Sequence, residues 1–133
     1  MVKSGSVNKV ALYCRYAHKK SESDASVEQE RRSLQAFCES RGYEVAGVYL
    51  DNGYSGMTLD NPSLQQLLSD LRDDRFDTVA IRTGTVLSRD IVKFIGLYVD
   101  EFLPRKKELL IMDLNSSMSD LLMQPLYSRF DEV

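Results

Sequence analysis

Four short runs of apolar and β-branched residues, Val10–Tyr13, Val45–Leu50, Thr78–Ile81 and Leu109–Met112, are each separated by a stretch long enough to form a helix. This alternation constrains the fold more than any other feature of the chain. Neighbouring parallel strands need a crossover of a dozen or more residues, and crossovers of that length between buried strands specify an α/β sandwich with helices on both faces of the sheet. The pattern predicts strands over residues 9–14, 44–50, 77–82 and 108–113.

The segments between the strands carry helix signals. Ser26 stands three residues before Gln29, a capping-box spacing, and Val27, Leu34, Phe37 and Cys38 with the stem of Arg41 fall near one helical face that Gly42 ends. Within the second strand Val45, Gly47 and Tyr49 alternate with Ala46, Val48 and Leu50. Asn61-Pro62 reads as an N-cap followed by a first-turn proline, and Leu64, Leu67, Leu68 and Leu71 continue that helix. Residues 83–88 form a loop before a third helix carrying Ile91, Phe94, Ile95, Tyr98, Val99 and Phe102, which Pro104 ends. Arg105-Lys106-Lys107 reads as a solvated turn. Ser117 to Met123 resumes a helical pattern that Pro125 interrupts. The organisation expected is a flexible N-terminus over 1–8, one domain over 9–113 and a partly helical tail over 114–133.

Composition narrows the function. With 133 residues and 43% hydrophobic content, one domain can bury a core without disulfides or metal. The formal net charge of −3 gives no overall basic field for holding duplex DNA by counterion release. Cys14 and Cys38 lie in apolar patterns without metal-ligand spacing, so buried free thiols in a reducing cytoplasm are expected. Neither a signal peptide nor an apolar run of roughly 20 residues is present, and no membrane association is expected. His18 has no carboxylate or second histidine at ligand spacing, which argues against metal catalysis.

In an open α/β sheet, ligands bind beyond the carboxyl ends of the strands, where strand order reverses. Arg15 to Lys20 and Arg82 to Arg89 emerge there. The tract Tyr13-Cys14-Arg15-Tyr16-Ala17 resembles the Tyr-(Cys/Thr)-Arg-Val-Ser that ends the first strand of serine recombinase catalytic domains, the resolvase and invertase family. Gly84-Thr85-Val86-Leu87-Ser88-Arg89 is similar to that family's Leu-Asp-Arg-Leu-Ser-Arg. Asp51 to Gly56 with Pro62-Ser63-Leu64 resembles its Asp-x-(Gly/Ala)-x-Ser-Gly followed by Arg-Pro-x-Leu. The resemblance runs in order from Lys9 to Asp113 and implies a three-layer α/β/α domain with a mainly parallel four-strand sheet in the order 2-1-3-4.

In that family a serine oxygen attacks a DNA phosphodiester while arginines neutralise the charge that builds in the transition state. Carried over by position, Arg15 and Arg89 match two of these arginines and Gln29 a polar residue on the first helix. Ala17 stands in place of the nucleophile, Thr85 of an aspartate, and Val86 and Asn61 of two further arginines. Such a set of departures implies a homologue linked to DNA recombination that does not cleave or exchange strands. Tyr16 is no substitute nucleophile, because strand alternation points it away from the face shared by Arg15 and Ala17. Ser88 matches a serine that is not the nucleophile and suits a helix cap; Ser21, Ser23 and Ser26 have no fitted base beside them.

Arg15, Lys19, Lys20 and Arg89 are the candidate phosphate ligands. The partners implied are duplex DNA, bound weakly and without sequence specificity by this chain alone, and oligomers with itself or with an intact recombinase. No cofactor is implied. Two alternatives stay open: an active phosphoryl-transfer recombinase with a relocated nucleophile, and a non-catalytic anion- or protein-binding α/β module.

Overall fold

Seven consecutive buried residues, Val10 to Tyr16, place the first strand at the centre of the molecule. The computed structural model describes residues 8–16 and 25–123, with backbone alone for 25–27. Its elements are β1 (Lys9–Tyr16), α1 (Ala25–Ser40), β2 (Glu44–Asn52), α2 (Pro62–Arg72), β3 (Thr78–Ile81), α3 (Ile91–Leu97), β4 (Glu108–Ile111), β5 (Ser116–Ser117) and α4 (Met118–Met123). A π turn, Tyr98–Phe102, extends α3. The sheet order is β2-β1-β3-β4-β5, with the first four strands parallel and β5 antiparallel to β4. The predicted four-strand core in the order 2-1-3-4 is therefore present, with one short strand added. A tight 3-10 turn at Met112–Leu114 and a left-handed Asn115 fold the chain back to make that fifth strand.

Alternation along β1 divides the core. Ala11 and Tyr13 pack with Leu64, Leu67, Leu68 and Leu71 of α2 and with Phe94, Leu97, Tyr98 and Phe102 of α3 and its π turn. Val10, Leu12, Cys14 and Tyr16 pack with Leu34 and Cys38 of α1. Each fully buried leucine contributes about 1.5–3 kcal/mol of gross burial. This sandwich aims Arg15 at the α2 and α3 side of the sheet and Tyr16 at the α1 side.

Several expectations need correction. Ser26 is already helical, one residue past the start of α1, so it is not an N-cap. Strict alternation would put Val45 and Tyr49 on one face of β2, yet the register steps from Val10↔Val45 to Ala11↔Gly47. Ala46 is bulged out, so Val45 packs with the α1 cluster and Tyr49 with the α2 cluster. Asn61 occupies the N-cap position of α2 with no side-chain cap bond. Of the apolar residues on the third helix, Ile91, Ile95 and Val99 are exposed. Lys107 is buried rather than solvated: its Nζ donates to Phe76 O at 2.9 Å and pairs with Asp74.

Gly42, at φ +84°, ends α1 as expected. Cys14 and Cys38 are buried free thiols, and burial pushes each up to about 11. Among the described residues no helix is long and apolar enough to cross a membrane.

Candidate functional site

Three segments meet at the carboxyl edge of the parallel strands: the end of β1, the loop from Gly53 to Asn61 after β2, and the loop from Arg82 to Asp90 after β3. Backbone bonds join them. Gly53 N and Tyr54 N donate to Tyr16 O at 2.7 and 3.2 Å, and Arg89 N donates to Gly56 O at 2.8 Å. Gly53, at φ +88°, makes the turn that lets the β2 loop fold back over β1.

Arg15 fastens the junction. Its Nε donates to Val86 O at 3.0 Å, Nη1 to Tyr54 O at 3.1 Å and Nη2 to Thr85 O at 2.7 Å. The residue is only 9% exposed. Burial pulls its pKa below the usual arginine value, and the positive charge of Arg89 acts in the same direction. Arg15 stays cationic, because arginine begins too high to lose its proton in a protein.

The floor of the junction is Gly56. A Cβ there would lie 2.6 Å from Arg15 Nη2 and 2.8 Å from Arg89 Cγ, so the two arginines flank one glycine and a larger residue would have to displace one of them. Arg89 is exposed, and among the described residues its guanidinium has no hydrogen bond or ion pair. Neither arginine is locked by the acidic residues nearby. Asp90 caps α3, accepting from Val92 N at 3.0 Å and Lys93 N at 3.4 Å. Ser88, expected as the cap, instead donates from Oγ to Gly56 O at 3.2 Å and accepts from Asp90 N at 3.1 Å.

Asp51 is paired with Arg15 in the β1–β2 register, but its carboxylate serves α2. Oδ1 accepts from Ser63 N at 2.8 Å, and Oδ2 accepts from Leu64 N at 2.9 Å and from Tyr13 OH at 2.7 Å. Asp51 therefore supplies the cap that Asn61 does not, and ties β1, β2 and α2 together at 1% exposure. Burial and the neighbouring Asp51 raise the Tyr13 pKa far above its ordinary value, so the hydroxyl is a permanent neutral donor. Asn61 is buried and directs Nδ2 to Ser55 O at 3.4 Å. The sequence reading left Asp51, Tyr13 and Gly56 without a role. The signal for Asp51 is an acidic residue at the end of a strand one loop before an Asn-Pro helix start with no acid in its first turn.

The remaining candidate residues spread apart. Thr85 is exposed, with Oγ1 sharing a 2.7 Å bond with Thr83 Oγ1, while the Val86 side chain is buried in the core beside Leu87 and Phe94. Gln29 is exposed on α1, whose buried side, Leu34 and Cys38, faces the sheet. Ala17, His18, Lys19, Lys20, Ser21 and Ser23 lie outside the described residues, as does Pro125, and of Ser26 only the backbone is described.

The class defined by the fold is a three-layer α/β domain with a mostly parallel five-strand sheet, and its candidate site, where Arg15 and Arg89 meet across Gly56, lies at the carboxyl edge of the strands. Residues 10–132 match the family model "Resolvase, N terminal domain", and the chain belongs to that family of serine recombinase catalytic domains. It is similar in structure to the N-terminal catalytic domain of TP901-1 integrase, with a TM-score of 0.78 and 28% identity over 92% of this chain and 88% of that one. A resolvase family site-specific recombinase from Streptococcus pneumoniae superposes with a TM-score of 0.66 and 23% identity, over 94% and 86% of the two chains. The C-terminal catalytic domain of ISC1926 TnpA, an IS607-like serine recombinase, gives 0.65 and 20%, over 78% and 70%. No curated protein matches the chain significantly.

Proposed function

We propose that this domain is a resolvase-family homologue that keeps the recombinase scaffold without cleaving DNA. The observation that carries this reading is the state of the β3 loop. At the two positions where the family resemblance calls for an aspartate and an arginine, the Thr85 side chain bonds, among the described residues, to Thr83 and the Val86 side chain is buried in apolar core. The backbone of the same two residues accepts from Arg15, so a guanidinium suited to a phosphate is engaged in holding loops. Ala17 has no oxygen to attack phosphorus. Of the two candidate arginines Arg89 faces solvent, and with Arg15 behind it the edge supports weak, non-specific contact with a nucleic-acid phosphate. Partners of this kind, and an intact recombinase, fit a domain that contributes a surface rather than chemistry.

The test is incubation with supercoiled plasmid, followed by denaturing gels that separate nicked DNA carrying covalent protein. No adduct is expected from the natural chain, and none from Ala17→Ser, because each missing charge-stabilising donor costs on the order of 10²–10³ in rate. A serine-linked adduct in Ala17→Ser would show that Thr85, Val86 and Asn61 suffice and would overturn the reading. So would an adduct on any residue of the natural chain.

A further inference from the structure

The two halves of α1 are held by different forces. From Glu28 to Ser33 six consecutive residues are polar and none is buried. In the second half Leu34 and Cys38 are 1% and 0% exposed and pack with Val10, Leu12, Cys14 and Tyr16 of β1. Side-chain bonds in the first half run along the helix, where Glu28 accepts from Arg31 and Arg32, and Arg31 donates to Gln35 at 2.9 Å. Glu30 instead crosses to the sheet, and its Oε1 meets Arg82 Nε at 3.1 Å. Arg82, the residue after β3, is fixed on that side: Nη1 donates to Asp113 Oδ2 at 3.1 Å, and its carbonyl accepts from Asp113 N at 3.0 Å. The two anchors are unequal, because an ion pair that reaches solvent contributes far less than buried apolar side chains.

Beneath Glu30 lies the end of β1. Cys14 and Tyr16 point to the α1 side and are 9% and 7% exposed. Burial raises the Cys14 thiol to about 11 and the Tyr16 phenol far above its ordinary value, and the Glu30 carboxylate adds to both shifts. The Tyr16 carbonyl accepts from Gly53 N and Tyr54 N, so this face is the reverse side of the strand-end junction. Its cover on the Glu30 side is a polar stretch of helix with no buried residue from Glu28 to Ser33.

We propose that the first half of α1, as far as Ser33, is a latch that leaves the sheet while the second half stays docked through Leu34 and Cys38, and that the Glu30–Arg82 pair is its catch. The open form uncovers Cys14 and Tyr16 and gives access to the end of β1 from the face opposite Arg15. Local openings are drawn from segments with few buried apolar contacts, and their free energies lie well below that of global unfolding. Glu28 to Ser33 is such a segment, whereas the turn of helix that follows is not. The proposal is independent of whether the domain cleaves DNA.

The two cysteines supply the test, since burial pushes both thiols up to about 11 and they lie under different halves of the helix. Alkylation of the full chain with iodoacetamide, followed by peptide mass mapping, is expected to label Cys14 at least about tenfold faster than Cys38. Arg82→Gln should accelerate Cys14 labelling about two- to fivefold, the range set by an exposed ion pair, and leave Cys38 unchanged. The sign separates opening from electrostatics: Arg82 lowers the Cys14 pKa, so loss of its charge alone would slow the labelling. Denaturant acts in proportion to the surface exposed on opening, so sub-denaturing urea should raise Cys38 labelling steeply and Cys14 labelling little. Circular dichroism checks that the variant is folded. Equal rates at the two thiols, a common urea dependence, or Cys14 labelling that is unchanged or slowed in Arg82→Gln overturns the proposal.

Discussion

The interior and the rim of the strand-end junction differ in how their polar groups are used. Inside, Tyr13, Arg15, Asp51 and Ser88 are buried and each bridges separate elements: Asp51 caps α2, Arg15 joins two loops to β1, and Ser88 joins Gly56 to the start of α3. On the rim, the Thr85 side chain bonds only to its own loop, while Gln29 and Arg89 have no side-chain bond among the described residues. Tyr13, Arg15, Asp51 and Ser88 agree with the recombinase resemblance, as do Gln29 and Arg89 on the rim, whereas Thr85 on the rim and the buried Asn61 and Val86 depart from it. A residue that holds the fold is retained whether or not chemistry continues, whereas one needed only by chemistry is free to change. By this reasoning Arg15 is weaker evidence for retained activity than its match to a family arginine suggests.

Removing the Asp51 carboxylate tests the interior most severely. Asp51→Ala strands the Tyr13 hydroxyl and two backbone N–H groups at the start of α2, and hydrogen bonds to a charged group are worth about 1.5–3 kcal/mol each. A loss of about 3 kcal/mol is expected in urea denaturation. Tyr13→Phe removes one donor and leaves the helix cap intact, so about 1 kcal/mol is expected. Equal losses in the two variants would mean that the cap contributes little and that the phenol bond dominates.

The sharpest form of the comparison sets one arginine against the other. Arg15→Ala frees three carbonyls that hold the β2 and β3 loops and is expected to cost about 2 kcal/mol, partly offset by relief of its repulsion with Arg89. Arg15→Lys should not rescue it, since a single ammonium cannot reproduce a planar fork. Arg89→Ala should change stability by no more than about 0.5 kcal/mol, as for an ordinary surface substitution. Similar losses at both positions, read from thermal midpoints, would erase the distinction between interior and rim.

Much of this was legible in the sequence for a physical reason. Period-two and period-3.6 burial are imposed by layers, so four core strands, the leucines of α2 and the glycine end of α1 could be read directly. What escaped depends on groups distant in sequence. Nothing local to Asn61-Pro62 shows that its cap comes from Asp51, and the bulge at Ala46 is a property of pairing with β1. Lys107 reads as part of a basic turn until Phe76 O is placed beside it. On the third helix Ile91, Ile95 and Val99 are exposed while Phe94, Tyr98 and Phe102 are buried, and periodicity cannot distinguish residues that meet this core from residues facing outward. At the site, the resemblance supplied the positions of Arg15 and Arg89, and only the geometry revealed Gly56 between them.

The smallest effect calibrates how little an exposed charge does when it holds no loop. Arg72 at the end of α2 donates from Nε and Nη2 to the Glu101 carboxylate at 3.0 and 2.8 Å, and neither residue bonds to the junction. The Arg72 hydrogen bonds hold the Glu101 carboxyl below its ordinary range. A folded-state value lower than the unfolded one contributes stability above the unfolded glutamate value of about 4.3. That stability is lost as pH falls through the folded value. Both side chains reach solvent, so the contribution is a few tenths of a kcal/mol. Comparing the natural chain with Glu101→Gln at pH 7 and pH 3 isolates it: the variant should be slightly less stable at pH 7, with the gap closing at pH 3. A gap that widens on acidification would reverse the sign and show that Glu101 is better tolerated protonated. A gap at pH 7 as large as that of Arg15→Ala would mean that exposure does not separate structural from dispensable charges in this domain.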